Sequence, residues 1–359
     1  MLSRKQQIME YGDAINCSLN TDEDDDCDPR TEISAWVISY VSLVFGSIFV
    51  TSVVGNAIVI LAIYYEPSLR VVRNYFVASL AVADLLTGLI AVPTTVIYYL
   101  IYRRSFQNTA VGTEFSEGSS LYTIPLFYFI WASIHNLLLI TFDRYVAVNW
   151  PLTYISKLSP KRTLYLIALS WFASLYPCII PFFWDLEKSK AGMHFDTFGN
   201  KVRNCICCVY FTLIMIIIIV LHFKTYRIAR QQNKKIEKHH QHSGEKSSQD
   251  GSRSPSHILQ RGTMKIYWEI QQKAFKTTSL ILSVFVITLF PLVVTTSVSY
   301  IYGVTYAVLM WIVEAAMFCS SSLNPFIYAF MRQDFNVAFR KLFRCRTQSV
   351  NEGESTMIV

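Results

Sequence analysis

The chain has 359 residues and a formal net charge of +7, with 52% hydrophobic, 14% aromatic and only 16% charged positions. That is more apolar surface than one water-soluble core can bury, which excludes an ordinary soluble enzyme or a nucleic-acid-binding domain. The charges gather in the N-terminal tail, one mid-chain loop and the C-terminal tail, leaving apolar runs of roughly 20 residues, the length a helix needs to cross a bilayer.

Residues 1–34 form an acidic tail carrying Asp22, Glu23, Asp24, Asp25, Asp26 and Asp28, with no apolar stretch suited to a signal peptide. Seven apolar runs follow, at about 35–64, 75–102, 120–148, 163–184, 206–228, 274–302 and 305–331. Lipid offers no partner to a backbone N–H or C=O, so each run must be helical. The predicted fold is an all-α membrane protein, a seven-transmembrane helix bundle over 35–331. Positive residues orient it. Segment 224–276 holds 12 Lys/Arg against 4 Asp/Glu, and Arg70, Arg73, Lys161, Arg332 and Arg340 fall on the same side. That side is expected to be cytosolic and the N-terminus extracellular, in a multi-pass protein of the plasma membrane. Arg103 and Arg104 on the outer side are one dissent, which the inside total outweighs. An extracellular tail makes Asn16, in Asn16-Cys17-Ser18, either a glycosylation site or an unused tripeptide.

The cytoplasmic loop at about 230–270 is basic and rich in Ser, Gln and His, a composition that predicts disorder. Its His239, His240 and His242 read as a solvated run rather than a metal site. Segment 332–345 places Phe335, Phe339 and Leu342 on one face and predicts an amphipathic eighth helix at the interface. Cys345 beyond it is positioned for palmitoylation. A cytoplasmic tail, 346–359, completes the chain, with Ser349, Ser355 and Thr356 as candidate kinase sites.

A charge within lipid is costly and needs a reason. Asp84 interrupts helix two, Asp143 and Arg144 close helix three, and Glu314 lies in helix seven. Asn56 and Asn324 are amides inside helices one and seven, and Pro291 and Pro325 break helices six and seven. Taken in order, Gly55-Asn56, Leu80-Ala81-Val82-Ala83-Asp84, Asp143-Arg144-Tyr145, Trp171, Phe285 with Pro291, and Asn324-Pro325-Phe326-Ile327-Tyr328 resemble the rhodopsin-like (class A) G-protein-coupled receptors. The likeness covers roughly residues 35–345. Its helix-two text is similar to amine and adenosine receptors, in an inner half that reports coupling more than ligand.

The resemblance implies roles. Asn56, Asp84, Ser133, Ser320 and Asn324 would line a polar cavity that holds either a sodium ion favouring the resting state or water alone. Arg144 would pair with Asp143 at rest and meet a heterotrimeric G protein when freed. Tyr145, Phe285 and the kinks at Pro291 and Pro325 would serve that transition, and Tyr328 would swing inward to hold the open state. Receptor kinases, arrestin and membrane lipid are the further partners implied.

Departures from the pattern carry as much information. The outer end of helix three has Ser119 where relatives have a bridging cysteine, although Cys17, Cys27, Cys205, Cys207 and Cys208 remain outside. Which of these pair is left open. Leu289 replaces the tryptophan before Pro291, while Ile214 and His222 replace the proline and tyrosine of helix five. Gln271 stands where an acidic residue often locks helix six to the arginine, with Glu269 slightly out of phase. A missing lock predicts raised basal activity.

For the ligand, a helix-seven lysine is required for a retinal Schiff base, and 305–330 has none. Leu126 occupies the helix-three position where amine receptors place a carboxylate, so the standard amine mode is not expected. Glu314 either pairs with a cationic group of a ligand or bonds to a neighbouring helix. Thr94, Tyr98, Phe127, Ile130, Leu292, Thr296 and Met310 are the other expected pocket walls. The reading is a receptor without catalytic chemistry, responding to an extracellular small ligand or peptide. Its rivals are a non-signalling or dimer-modulating receptor-like protein and a seven-helix transporter.

Overall fold

The computed structural model describes residues 35–101, 119–178, 197–246, 255–302 and 307–342, and every regular element among them is helical. From Ser39 onward the described helices belong to one packed unit; Met1–Ile38 forms another, of which only the helical positions from Ala35 are described. The glycosylation, palmitoylation and tail phosphorylation positions, including Asn16 and Cys345, lie outside the described residues, as do the side chains of Cys205 and Cys207.

Helix α1 spans Ala35–Tyr65. A 3-10 turn, Pro67–Leu69, leads into α2, which runs Val72–Leu86, passes through a π-helical turn at Thr87–Ala91 and resumes over Val92–Ile101. The π-turn has an identifiable cause. Pro93 has no N–H and its ring crowds the carbonyl of Leu89, so the helix widens just before it. The hydroxyls of Thr87, Thr94 and Thr95 donate to the carbonyls of Ala83, Ile90 and Ala91, at 2.7–2.9 Å.

Helix α3 is Ser119–Asn149, and a single helical turn, Tyr154–Lys157, precedes α4 at Pro160–Ala173. Ser159 caps α4 by accepting from the Arg162 N–H, and Pro160 takes the first position, where a missing N–H costs nothing. The continuous run expected at 163–184 is interrupted by a turn at 174–175. Pro177 explains it, since its ring cannot follow the carbonyl of Ala173 in regular helix.

Helix α5 is Thr197–Lys246, α6 is Pro255–Tyr302, α7 is Ala307–Met331, and α8 covers 333–342. Of the segment at about 230–270, expected as a disordered loop, residues 230–246 continue α5 and residues 255–270 begin α6 as helix. Its Gln, Lys, Glu, Arg and Ala residues form helix readily. Extending an existing helix also avoids the costly nucleation step.

Val41–Tyr65, Val72–Ile97, Ile124–Asn149, Cys208–Gln232 and Ile266–Thr295 are long and apolar enough to cross a membrane. With α4 and α7 they make the seven-helix bundle. Its exterior carries Leu164, Phe172, Ile217, Phe290 and Phe330, all exposed, as suits a surface facing lipid. Its interior mixes an apolar core, with Phe45 edge-on to Phe318 at 6.2 Å, with buried polar groups on α1, α2, α3 and α7.

Two glycines set helix spacing. A Cβ on Gly55 would stand 2.8 Å from Cγ of Pro325, and one on Gly88 would stand 3.0 Å from Ser52 Cβ. The first contact seats the proline kink of α7 against α1. Pro325 leaves the carbonyl of Ser321 without its usual helical donor, and Asn56 Nδ2 supplies one from α1 at 3.1 Å.

Candidate functional site

At the C-terminal end of α3, Arg144 is buried and donates from Nε to Asp143 Oδ2 at 2.9 Å, with Nη2 directed at the same oxygen. The other carboxylate oxygen of Asp143 accepts from the Tyr154 hydroxyl at 2.5 Å. Burial and the neighbouring Asp143 push the Tyr154 hydroxyl well above its ordinary value, so it remains a donor. Arg144 Nη1 reaches α6, donating to Gln271 Oε1 at 3.2 Å. The expected loss of the α3–α6 lock is thereby corrected: a neutral amide oxygen takes the place of a carboxylate. Tyr267, one turn earlier on α6, donates its hydroxyl to the Ala147 carbonyl at 2.8 Å. Tyr145, beside Arg144, packs edge-on against Trp150 at 5.7 Å, outside this network.

Helices α5 and α6 are held together by a second set of contacts. His222 Nε2 lies 2.9 Å from Ser279 Oγ, and its ring stacks on Phe275 with centroids 4.5 Å apart and planes 17° apart. Ser279 Oγ also donates to the Phe275 carbonyl, so the imidazole nitrogen is placed to donate to the oxygen's free side.

The polar cavity forms around Asp84 on α2. Ser133 of α3 donates to Oδ1 at 3.1 Å and Asn324 of α7 donates to Oδ2 at 2.7 Å. Ser52 of α1 donates to the Asp84 backbone carbonyl at 2.8 Å, so all four helices meet there. Ser320 is buried, with its hydroxyl donating to the Met317 carbonyl at 2.7 Å, and Ser321 beside it also interacts with Asp84. The side-chain carbonyl oxygens of Asn56 and Asn324 are buried with no hydrogen-bond donor among the described residues. Those oxygens and the Asp84 carboxylate are of the kind that could hold a hard cation such as sodium, which takes oxygen ligands. Phe285 and Leu289 are buried on α6 nearby in the main core, and the Pro291 kink follows them.

The residues expected to line a ligand pocket differ in burial. Leu126, Ile130 and Glu314 are buried, and Leu292 is half-buried against the core. Phe127 is not among them: it is 41% exposed, one residue and about 100° round α3 from Leu126. The Thr94 hydroxyl bonds back to its own helix. The side chains of Tyr98, Thr296 and Met310 lie outside the described residues.

Sequence reasoning missed Tyr154, Ser321 and the role of His222, as well as a junction on the middle of α3. There His135 Nδ1 lies 2.8 Å from the Trp131 carbonyl and 2.9 Å from Ser174 Oγ, while Nε2 lies 2.9 Å from the Tyr210 hydroxyl. A histidine within an apolar run was the available signal.

At the membrane surface, Asp334 of α8 takes hydrogen bonds from Arg332 Nη2 at 2.5 Å and Nε at 3.2 Å. Burial pushes this carboxyl up, and the Arg332 bond with the charges of Arg332 and Arg73 outweighs it, holding the group below its ordinary value. Lys341 donates to Glu66 at 3.0 Å and keeps that carboxyl low as well.

The helical bundle, with a buried arginine at one end and a polar core, is the arrangement of a seven-helix membrane protein. The family model of 7-transmembrane receptors of the rhodopsin family matches residues 55–328, and the chain belongs to that family. It is 28% identical over 331 residues to the dog histamine H2 receptor, covering 88% of this chain and 83% of that one. The human histamine H2 receptor is 27% identical over the same shares, and rat trace amine-associated receptor 9 is 27% identical over 90% of this chain and 94% of its own. The protein is thus a multi-pass plasma-membrane receptor that signals through G proteins, and it is not an enzyme.

Proposed function

We propose that this receptor, with its N-terminus outside the cell, recognises a small cationic ligand through Glu314 and answers by releasing Arg144 to a heterotrimeric G protein. The relatives above are named for amines, and a cation in a low-dielectric pocket requires a carboxylate. Leu126 cannot supply it, whereas Glu314 is a buried carboxylate in the outer half of α7. The observation that carries the signalling half is the buried Arg144, bound at once to Asp143 and Gln271. Opening must break the Gln271 bond, so a ligand acts by favouring the state in which it is broken. That bond has a neutral acceptor and is weaker than an ion pair would be, which favours measurable agonist-free activity. Sodium in the Asp84 cavity would supply charge neutralisation for that carboxylate in the closed state. Receptor kinases and arrestin are the proposed partners of the cytosolic serines and threonines.

The experiment is G-protein dissociation across a panel of α subunits, at matched surface expression, without ligand and with a set of amines. Wild type is compared with Arg144→Ala and Glu314→Gln. An agonist-free signal that Arg144→Ala removes, and an amine response that Glu314→Gln removes, are expected. An amine response untouched by Glu314→Gln overturns the ligand assignment. Signalling that persists in Arg144→Ala overturns the coupling assignment.

A further inference from the structure

Beneath Arg144, residues of α2, α3, α6 and α7 line a partly open cavity of about 30 Å³. Its polar lining is Arg73, Asp143, Arg144, Thr277, Thr278, Tyr328 and Arg332, set among apolar residues that include Val77 and Ile281. Three guanidiniums and a single carboxylate face it. Asp334, just outside, pairs with Arg332 and more loosely with Arg73, at 3.6 Å. Two carboxylates against three guanidiniums leave the site one positive charge in excess.

The donors there can be accounted for one by one. Arg144 is engaged by Asp143 and Gln271. Arg332 Nη2 is engaged by Asn74 at 2.9 Å and by Asp334. The Thr277 and Thr278 hydroxyls donate to the Lys273 and Ala274 carbonyls, each at 3.0 Å. Two groups remain: the Arg73 Nε–H and the hydroxyl of Tyr328, both buried with no partner among the described residues. Tyr328 is only 1% exposed, and burying a polar group unpaired costs on the order of 1–3 kcal/mol. Arg73 Nε can only donate, so the missing partner is an acceptor.

We infer that this cavity binds a small monovalent anion of halide size, chloride in a cell, held by Arg73 and Tyr328. A neutral water would satisfy the two donors but leave the excess positive charge without an answer. An anion of halide size fits the space, which admits roughly two water-sized bodies. The anion ties the start of α2 to the inner end of α7 in the closed arrangement.

The test is thermal unfolding of the purified full-length receptor in nanodiscs, with sodium and ionic strength fixed while chloride replaces gluconate. Fixed sodium keeps the Asp84 cavity out of the measurement. A saturable rise in melting temperature with chloride, reproduced by bromide, is expected of wild type and lost in Arg73→Gln. Should Arg73→Gln fold poorly, Tyr328→Phe keeps the ring and removes only the hydroxyl; it should weaken the apparent affinity by roughly tenfold or more. Equal melting in chloride and gluconate would mean that water alone fills the cavity. An unchanged chloride response in both variants would place the anion elsewhere. Either result overturns the assignment.

Discussion

Arg144 on α3 and Gln271 on α6 are joined by one hydrogen bond of 3.2 Å, made from the guanidinium that Asp143 and Tyr154 already hold in place. The pair is the polar tie between α6 and the arginine, and its acceptor carries no charge. The closure of this end of the bundle therefore rests on a bond that can be strengthened or removed by a single substitution.

Replacing Gln271 by Glu converts the tie into a charge-assisted bond, worth about 1 kcal/mol more than the neutral one. Agonist-free G-protein dissociation should fall about fivefold at matched surface expression. Gln271→Leu should raise it. A rise in both variants would show that Gln271 restrains nothing.

His222 gives α5 its own hold on α6. His222→Ala removes a ring stack and a hydrogen bond, together about 1–2 kcal/mol. The apparent melting temperature should fall by several degrees and agonist-free signalling should rise. His222→Phe, which keeps the stack, should recover part of both.

Two adjacent serines separate the polar cavity from its surroundings. Ser321→Ala removes a hydroxyl that interacts with Asp84, while Ser320→Ala removes one that donates to the Met317 carbonyl. Sodium dependence of ligand affinity should weaken in the first variant and in Asp84→Asn, and stay as in wild type in the second. Equal behaviour of the two serine variants would count against a cation held at Asp84.

The approach of α1 to α7 leaves no room at Gly55. Gly55→Ala sets a methyl 2.8 Å from a rigid proline ring and should cost about 1–3 kcal/mol of stability. Gly46→Ala is the control, since nothing lies within 4 Å of its Cβ. Only the first should lower the melting temperature.

Docking of α8 should depend on acid in one direction. The Asp334 carboxyl is held below its ordinary value by Arg332, so its contribution is complete at neutral pH and is lost as pH falls through the folded-state value. Hydrogen exchange of the α8 amides should be steady from pH 7 to about 5 and quicken below about 4. Asp334→Asn at pH 7 should reproduce part of that loss; the group is a third exposed, so the effect stays under about 1 kcal/mol.

Length and hydropathy alone determined the seven spans, because crossing lipid is a local requirement that each helix meets with its own backbone. The charges and prolines inside those spans marked Asp84, Arg144, Asn324 and Pro325 as candidate functional positions before any contact was known. The partners were another matter. Asn324 meets Asp84 across 240 residues, and Gln271 meets Arg144 across 127, distances over which sequence carries no geometry. Only the tertiary structure decided that Ser321 interacts with Asp84 while Ser320 donates to the Met317 carbonyl, and that Phe127 stands apart from Leu126. One position along a helix turns a side chain by about 100°, and the absolute phase is fixed by kinks and by packing against other helices. The same packing set Gly55 against Pro325 and left Tyr328 and Arg73 facing a common cavity. Composition gave no sign that 230–246 and 255–270 continue helices, for a related reason: it measures whether a stretch can bury a core, and a helix continued from another does not need one.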